Sequence, residues 1–353
     1  MNKKVTLFTP SLNIGGIESV FVTYACLLAE VGYDVTYLVC KEGGELQKNI
    51  NHNVRLYCLN SGRLRMSLFK IVNYIKRERP DCIIVANSVT AIVILARFLA
   101  RSSVRIITSH HSYIDVETKS LLNRKLLWEL YNMCDAVIAV SKGIFTLLLK
   151  EKVDPRKLNL IYNPINVKRI TSLAEKKLDL PYNNYILFVG RLSIVKNVVF
   201  LLKSFADFRS VIKDDVSLVI VGDGPERFNL VKFTEELGIS DRVCFIGATA
   251  NPYVYMKHAK ELVLSSSSEA FPTVLLESLV LGTTVVSTPT FGALEILDNG
   301  KYGYLTSSFD NERELSDKMV CAYQKPFNKE MLQEYVVSRF GGNESIKRIE
   351  RLI

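Results

Sequence analysis

Several familiar signatures are missing from this chain. Its seven cysteines (Cys26, Cys40, Cys58, Cys82, Cys134, Cys244 and Cys321) are odd in number, scattered, and form no C-x-x-C pair. That excludes a disulfide frame or thiolate zinc site and reads as reduced core residues. No apolar run is long and uninterrupted enough to span a bilayer. MNKKVTLFTP enters directly into a strand pattern with no secretory leader, so a cytoplasmic location is expected. Low-complexity tracts and internal repeats are absent. A dinucleotide fingerprint is also incomplete: Gly222-Asp223-Gly224-Pro225 has Arg227 where the third glycine belongs, and Pro225 interrupts it.

What remains is an ordinary globular composition, 48% hydrophobic over 353 residues, long enough for two domains. Charge is unevenly shared. The first 170 residues carry 24 Lys and Arg against 13 Asp and Glu, a net +11, while the remainder carries −2. The first half is therefore expected to face something anionic. Strand-like runs at 4–9, 35–39, 54–59, 82–86, 104–108 and 136–140 alternate with helical patterns, which indicates a parallel sheet covered on both faces. Functional residues should then follow strand ends. A second alternation begins at Tyr185. The boundaries implied are a first domain over 1–165, a linker over 166–182, a second domain over 183–326, and C-terminal helices over 327–353.

Three strand-to-loop passages stand out. Ser11 to Gly16 ends in tandem glycines, whose backbone N–H groups can approach an oxyanion closely or simply make a tight turn. Ser109-His110-His111-Ser112 places two of only four histidines at a strand end; imidazole titrates near neutrality, so either can bind a ligand or take a proton, and a structural pair is the alternative. Arg191 and Lys196, five residues apart beyond the strand 185–189, can converge on a diphosphate, one as a bidentate fork and one as a point charge.

The stretch Leu262 to Gly282, LVLSSSSEAFPTVLLESLVLG, reads as strand end, loop and helix N-terminus. Ser265 to Ser268 are expected to keep the chain polar and exposed as it leaves the sheet. A helix N-terminus favours phosphate or sugar oxygens. Glu269 and Glu277 would repel phosphate, but each can accept two adjacent hydroxyls. Phosphates with sugar hydroxyls describe a nucleotide sugar; a capped loop and a solvated helix carboxylate fit the spacing equally.

Glu269-Ala-Phe-Pro-Thr-Val-Leu-Leu-Glu277 resembles the E-x7-E signature of retaining, nucleotide-sugar-dependent glycosyltransferases, in particular family 4. Gly15-Gly16-Ile17-Glu18, Gly190-Arg191-Leu192 with Lys196-Asn197, the Gly222 to Pro225 turn and Gly292 with Glu295 resemble further family landmarks, in the family's order and across nearly the whole chain. The resemblance implies an α/β GT-B fold: two Rossmann-like, doubly wound parallel-sheet domains facing each other across a cleft. It implies that the first binds acceptor, that the second binds donor, and that the last helix, near Asn343 to Leu352, crosses back to the first. It implies further that Gly16, Arg191, Lys196, Thr249, Glu269, Phe271, Pro272, Thr273, Val274 and Glu277 meet the donor, Phe271 to Val274 through their backbone. Glu277 would grip the ribose and Glu269 the donor sugar. One of His110 and His111, with a preference for His111, would serve the reaction beside Glu269, Arg191 and Lys196.

No Asp-x-Asp is present to hold a divalent ion on the diphosphate, so no metal and no further cofactor is expected, and Arg191, Lys196 and the helix N-terminus would take that charge. The expected partners are a nucleotide-diphosphate sugar, UDP first, and a glycan or lipid-linked glycan acceptor; no nucleic acid is expected. Gly62 to Arg79, with Met66, Phe69, Ile71, Val72 and Ile75 among basic residues, and Lys119 to Tyr131, with Trp128, also suit the anionic inner face of the plasma membrane, or else simply cover the sheet. The competing readings are a catalytically silent sugar-binding relative and an NAD(P)-dependent oxidoreductase.

Overall fold

The computed structural model describes residues 2–112, 121–178, 180 and 182–353, and divides into two units. Unit 1 comprises Met1–Pro164 and Gly342–Ile353; unit 2 is Ile165–Gly341. Elements are numbered in chain order over the described residues, of which no helix is long and apolar enough to cross a membrane.

In unit 1, strands β1 (Lys4–Phe8), β2 (Asp34–Val39), β3 (Val54–Cys58), β4 (Cys82–Ala86), β5 (Arg105–His110), β6 (Ala136–Ala139) and β7 (Leu158–Leu160) form a parallel sheet in the order β3-β2-β1-β4-β5-β6-β7. Strands such as β4, CIIVA, are buried throughout because helices cover both faces, which is why they read as continuous apolar runs. The helices are α1 (Gly16–Glu30), α2 (Leu68–Glu78), α3 (Thr90–Ala100), α4 (Leu121–Asn132) and α5 (Lys142–Lys150). Ser141 starts α5 by accepting a bond from the N–H of Ile144 at 3.3 Å. Order reverses between β1 and β4, the point at which open parallel sheets leave a crevice beyond their strand ends.

Unit 2 repeats the plan. It opens with α6 (Val167–Ala174), whose N-cap Asn166 accepts from Arg169 N–H at 3.0 Å. Strands β8 (Tyr185–Val189), β9 (Ser217–Val221), β10 (Val243–Gly247), β11 (Glu261–Leu264), β12 (Thr284–Ser287) and β13 (Tyr304–Leu305) form a parallel sheet in the order β10-β9-β8-β11-β12-β13. Its helices continue with α7 (Val198–Val211), α8 (Arg227–Glu236), α9 (Tyr253–His258), α10 (Thr273–Val280), α11 (Phe291–Ile296), α12 (Glu312–Gln324) and α13 (Lys329–Phe340). The reversal here lies between β8 and β11. Gly222 follows β9 at φ +142°, and a Cβ on it would stand 1.9 Å from the carbonyl oxygen of Gly190, so the Gly-Asp-Gly-Pro turn is where two strand-end turns press backbone on backbone.

Helix α14 (Gly342–Glu350) belongs to unit 1. Ser345 and Arg348 donate to the carbonyls of Tyr162 and Leu160, at 2.9 and 3.1 Å, and Ile346 and Ile349 are buried.

Some local readings change. The stretch 166–182 holds α6, which packs on α9 and α10 within unit 2, in place of a bare linker. The proline-bearing stretch before it contains β7. Ser265 and Ser266 are fully buried, against the expected exposed run. Ile71, Val72 and Ile75 of α2 and Trp128 of α4 are core residues, leaving only Met66 and Phe69 of the apolar set singled out there exposed. Lys119 and Ser120, at the start of the second amphipathic stretch, lie outside the described residues.

Candidate active site

The reversal between β8 and β11 lays two loops side by side. The loop after β8 carries Arg191 and, at the end of a 3-10 turn, Lys196. The loop after β11 carries the serine run and Glu269. The serines stitch the two together: Ser265 Oγ donates to the carbonyl of Lys196 at 2.9 Å, and Ser267 N–H donates to that of Val195 at 2.9 Å. Burial of Ser265 and Ser266 follows from this, since each hydroxyl is satisfied inside the fold. Lys196 Nζ forms an ion pair with Glu269 Oε1, and Ser266 Oγ donates to the same oxygen at 2.7 Å. Both side chains of the pair keep partial exposure, 23% and 15%, so the pair lines a surface rather than a core. Arg191 is exposed and makes no ion pair among the described residues.

Beyond Glu269 the chain turns into α10. Phe271 is buried edge-on against Phe340, with ring centres 5.7 Å apart, so its side chain faces inward. Pro272 is buried at the N-cap and no side chain caps α10. The first N–H groups of α10, those of Thr273 and Val274 among them, therefore keep no intrahelical acceptor, and the helix presents its positive end. Gly292 N–H donates to the Glu269 carbonyl at 3.2 Å; a Cβ on Gly292 would press 2.6 Å from Pro272 Cδ, so this loop tolerates no bulk there.

Glu277 lies one turn into α10, half-buried and densely surrounded. Burial pushes its carboxyl up to about 7, partly offset by the Thr273 hydroxyl and by the positive charge of Arg169. Tyr253 feels the charges of Glu277 and Arg169, and its phenol is pushed up mainly by burial. Arg169 and Tyr253 went unremarked in the sequence because one sat in the supposed linker and the other in a short helix with no motif. Thr249, half-buried, accepts from Asn251 N–H at 3.2 Å, and the Asn251 amide donates to the carbonyl of Leu173 on α6 at 3.0 Å, fixing the loop after β10.

The remaining expected residues lie in unit 1. Gly16 is exposed as the first residue of α1, with open space where a Cβ would stand. His110 is the last residue of β5 and wholly buried, its Nδ1 2.8 Å from Tyr131 Oη and its ring edge-on to Trp128. His111 packs against Phe21. Burial lowers His110 to about 4; burial and then the neighbouring His110 lower His111 to about 3. Both are neutral at pH 7, so the near-neutral titration expected of them is corrected: either can exchange hydrogen bonds, but neither is poised to take up a proton there.

Two family models divide the chain between them, "Glycosyltransferase Family 4" over residues 14–169 and "Glycosyl transferases group 1" over residues 172–336. The chain belongs to glycosyltransferase family 4. Among curated relatives, this glycosyltransferase is 27% identical over 336 residues to the N-acetylgalactosamine-N,N'-diacetylbacillosaminyl-diphospho-undecaprenol 4-alpha-N-acetylgalactosaminyltransferase of Campylobacter jejuni, covering 89% of this chain and 88% of that one. A second C. jejuni enzyme, an alpha-1,4-N-acetyl-D-galactosaminyltransferase acting on a GalNAc-containing PP-undecaprenol, is 27% identical over 343 residues, 93% of this chain and 91% of its own. Among solved structures, Anabaena HepE in complex with UDP and glucose superposes with a TM-score of 0.82 at 20% identity, over 99% of both chains. Sucrose-phosphate synthase from Thermosynechococcus elongatus gives 0.81 at 20% identity over 99% of this chain and 98% of its own. The glycosyltransferase therefore has the GT-B fold, and the oxidoreductase reading falls away.

Proposed function

We propose that this glycosyltransferase moves a hexose or N-acetylhexosamine from a nucleotide diphosphate sugar, a UDP-sugar first, to a growing lipid-linked or cell-surface glycan. In this reading the anomeric configuration is retained and no metal ion takes part. The observation that carries it is Lys196, held by Glu269 beside the uncapped N-terminus of α10. The UDP and glucose bound by HepE and the undecaprenol-linked acceptors named for the C. jejuni relatives support the choice of donor and acceptor class.

In the reaction proposed, the bond from the anomeric carbon to the β-phosphate oxygen breaks and its electron pair leaves with the diphosphate. The acceptor oxygen bonds to the same face of that carbon, and its proton passes to a leaving phosphate oxygen. Negative charge grows on the diphosphate, where Lys196, Arg191 and the N–H groups of Thr273 and Val274 oppose it. The backbone of Phe271 to Val274 and the Glu269 carboxylate hold sugar hydroxyls, and Glu277 takes the ribose pair. Thr249 lies beside the base, and Gly16 leaves room near the phosphate or acceptor. His110 or His111 contributes a neutral hydrogen bond.

The test is donor turnover with a panel of UDP- and GDP-sugars, with and without chelator. Hydrolysis of at least one donor should survive chelation and fall about 100-fold or more in Lys196→Ala and in Glu277→Ala. Loss of turnover on chelation sinks the metal-free account, and full activity in Lys196→Ala sinks the site.

A further inference from the structure

Arg227 stands where a dinucleotide fingerprint would have its third glycine, and it takes no part in the proposed reaction. It is the first residue of α8, two positions beyond the Gly222 to Pro225 turn. Its guanidinium lies across the end of β10. The central carbon stands 5.9 Å from the Phe245 ring centre, Nη2 donates to the Phe245 carbonyl at 3.5 Å, and a Cβ on Gly247 would come within 3.6 Å of Nη1. The side chain is 37% exposed, so it reaches the surface there.

Little of its hydrogen-bonding capacity is used. A guanidinium carries five N–H donors in a planar fork and no acceptor. Among the described residues the side chain makes that one long hydrogen bond. Its ion-pair partner Asp223 stands 3.9 Å off, beyond hydrogen-bond reach, with Oδ1 already accepting from Gly224 N–H at 2.7 Å. The loop that leaves β10 beside it is fixed at both ends: Gly222 N–H donates to the Gly247 carbonyl at 2.8 Å, and the Asn251 amide ties the far end to Leu173.

In the donor reading this loop, with Thr249, meets the base. Arg191, Lys196 and the α10 N-terminus take the diphosphate and Glu277 the ribose, so a further cation beside Thr249 has no phosphate to meet. A base edge is uncharged, but uracil and guanine present a carbonyl oxygen where cytosine and adenine present an amino group. A side chain that can only donate suits the carbonyl and leaves the amino group unpaired.

We infer that Arg227 is a specificity-determining residue of the donor site, donating to the carbonyl edge of the nucleobase and so selecting uracil over cytosine. The inference rests on the proposed nucleotide donor and goes beyond it by naming the group that chooses the base. Two other uses of the side chain predict differently. An arginine that only packs on Phe245 supports the fold and favours no base, whereas one that reaches the diphosphate strengthens every nucleotide alike.

The test is calorimetric titration of the full chain with UDP and with CDP, which share ribose and diphosphate and differ only along one edge of the base. The wild type should bind UDP about tenfold or more tighter than CDP. Arg227→Met keeps an unbranched chain over Phe245 and removes the donors; it should weaken UDP about tenfold and leave CDP nearly as it was, bringing the ratio close to unity. Arg227→Lys, with a point charge in place of the fork, should fall between, and it reports the ratio even where Arg227→Met fails to fold. Lys196→Ala is the contrast, weakening both nucleotides by the same factor and keeping the ratio. A wild type that does not distinguish UDP from CDP, or Arg227 variants that keep the wild-type ratio or lose both nucleotides equally, overturns the base assignment and leaves the donor reading standing. Failure to bind either nucleotide overturns both.

Discussion

Glu277 shows how much of a site's behaviour is set by a side chain's surroundings. Its carboxyl is pushed up to about 7 by burial, against the pull of Thr273 and Arg169. A protonated carboxyl accepts fewer hydroxyl bonds than a carboxylate, so if Glu277 holds the ribose pair, donor affinity must depend on its ionisation. The sign follows from the raised value. Below about pH 7 the group in the free enzyme is protonated, and affinity weakens as pH falls, approaching tenfold per unit. Above that it is ionised and affinity levels off. Calorimetric titration with a UDP-sugar between mildly acid and mildly alkaline pH should trace this curve in the wild type. In Glu277→Gln it should be flat and weak throughout. A pH-independent wild type places the ribose elsewhere. Folding stability runs the opposite way, since a raised carboxyl favours the fold below its unfolded value and loses that contribution as pH climbs through the folded one. Affinity gained toward pH 8 is therefore not a by-product of a firmer fold.

The last helix poses a different problem, because its sequence neighbours belong to unit 2 while its contacts belong to unit 1. Ile349 is fully buried, and Ser345 and Arg348 bond to the carbonyls of Tyr162 and Leu160. Ile349→Ala should cost about 3 kcal/mol and act on unit 1 alone. Hydrogen exchange read by peptide should speed up in α1 and β7 while β8 and β11 keep their protection. Acceleration in β8 instead would assign the helix to the wrong unit. Elements were legible in the chain to different degrees, for physical reasons. Buried parallel strands such as β4 announce themselves because both faces are apolar, whereas Arg191, Lys196, Glu269 and Glu277 stand out only through the family pattern they match, since solvated loop and helix charges fit their spacing equally well. The short β7 has too few residues to show a period. Ser265 and Ser266 look like loop residues in one dimension; only the neighbouring loop, distant in sequence, supplies the carbonyl and carboxylate that make their burial tolerable. Trp128 and Phe69 lie on similar basic helices, and sequence offers no way to see that one ring turns to the core and the other to solvent.

The molecule as a whole is two cores, each with its own parallel sheet and its own order reversal. All of its basic excess lies in the first 170 residues, while the residues proposed to meet the donor's phosphates lie in the second unit, whose own stretch of sequence carries a slight acidic excess. Attraction for the nucleotide therefore comes from local placement of Lys196, Arg191 and the α10 N-terminus, not from a general field, whereas the field belongs to the first unit. Two cores imply that unfolding need not be one transition, and that a ligand of one core should steady that core first. UDP at about a hundred times its dissociation constant should add about 2.7 kcal/mol to unit 2, a rise of about 5–10 °C in its midpoint. Exchange protection read by peptide during the thermal ramp tells which unit has moved. β8 and β11 should hold to higher temperature with UDP present while β1 and β4 melt where they did before. If β1 and β4 gain the protection and β8 and β11 do not, the nucleotide sits in unit 1, and the roles given to Lys196, Glu269 and Glu277 fall together.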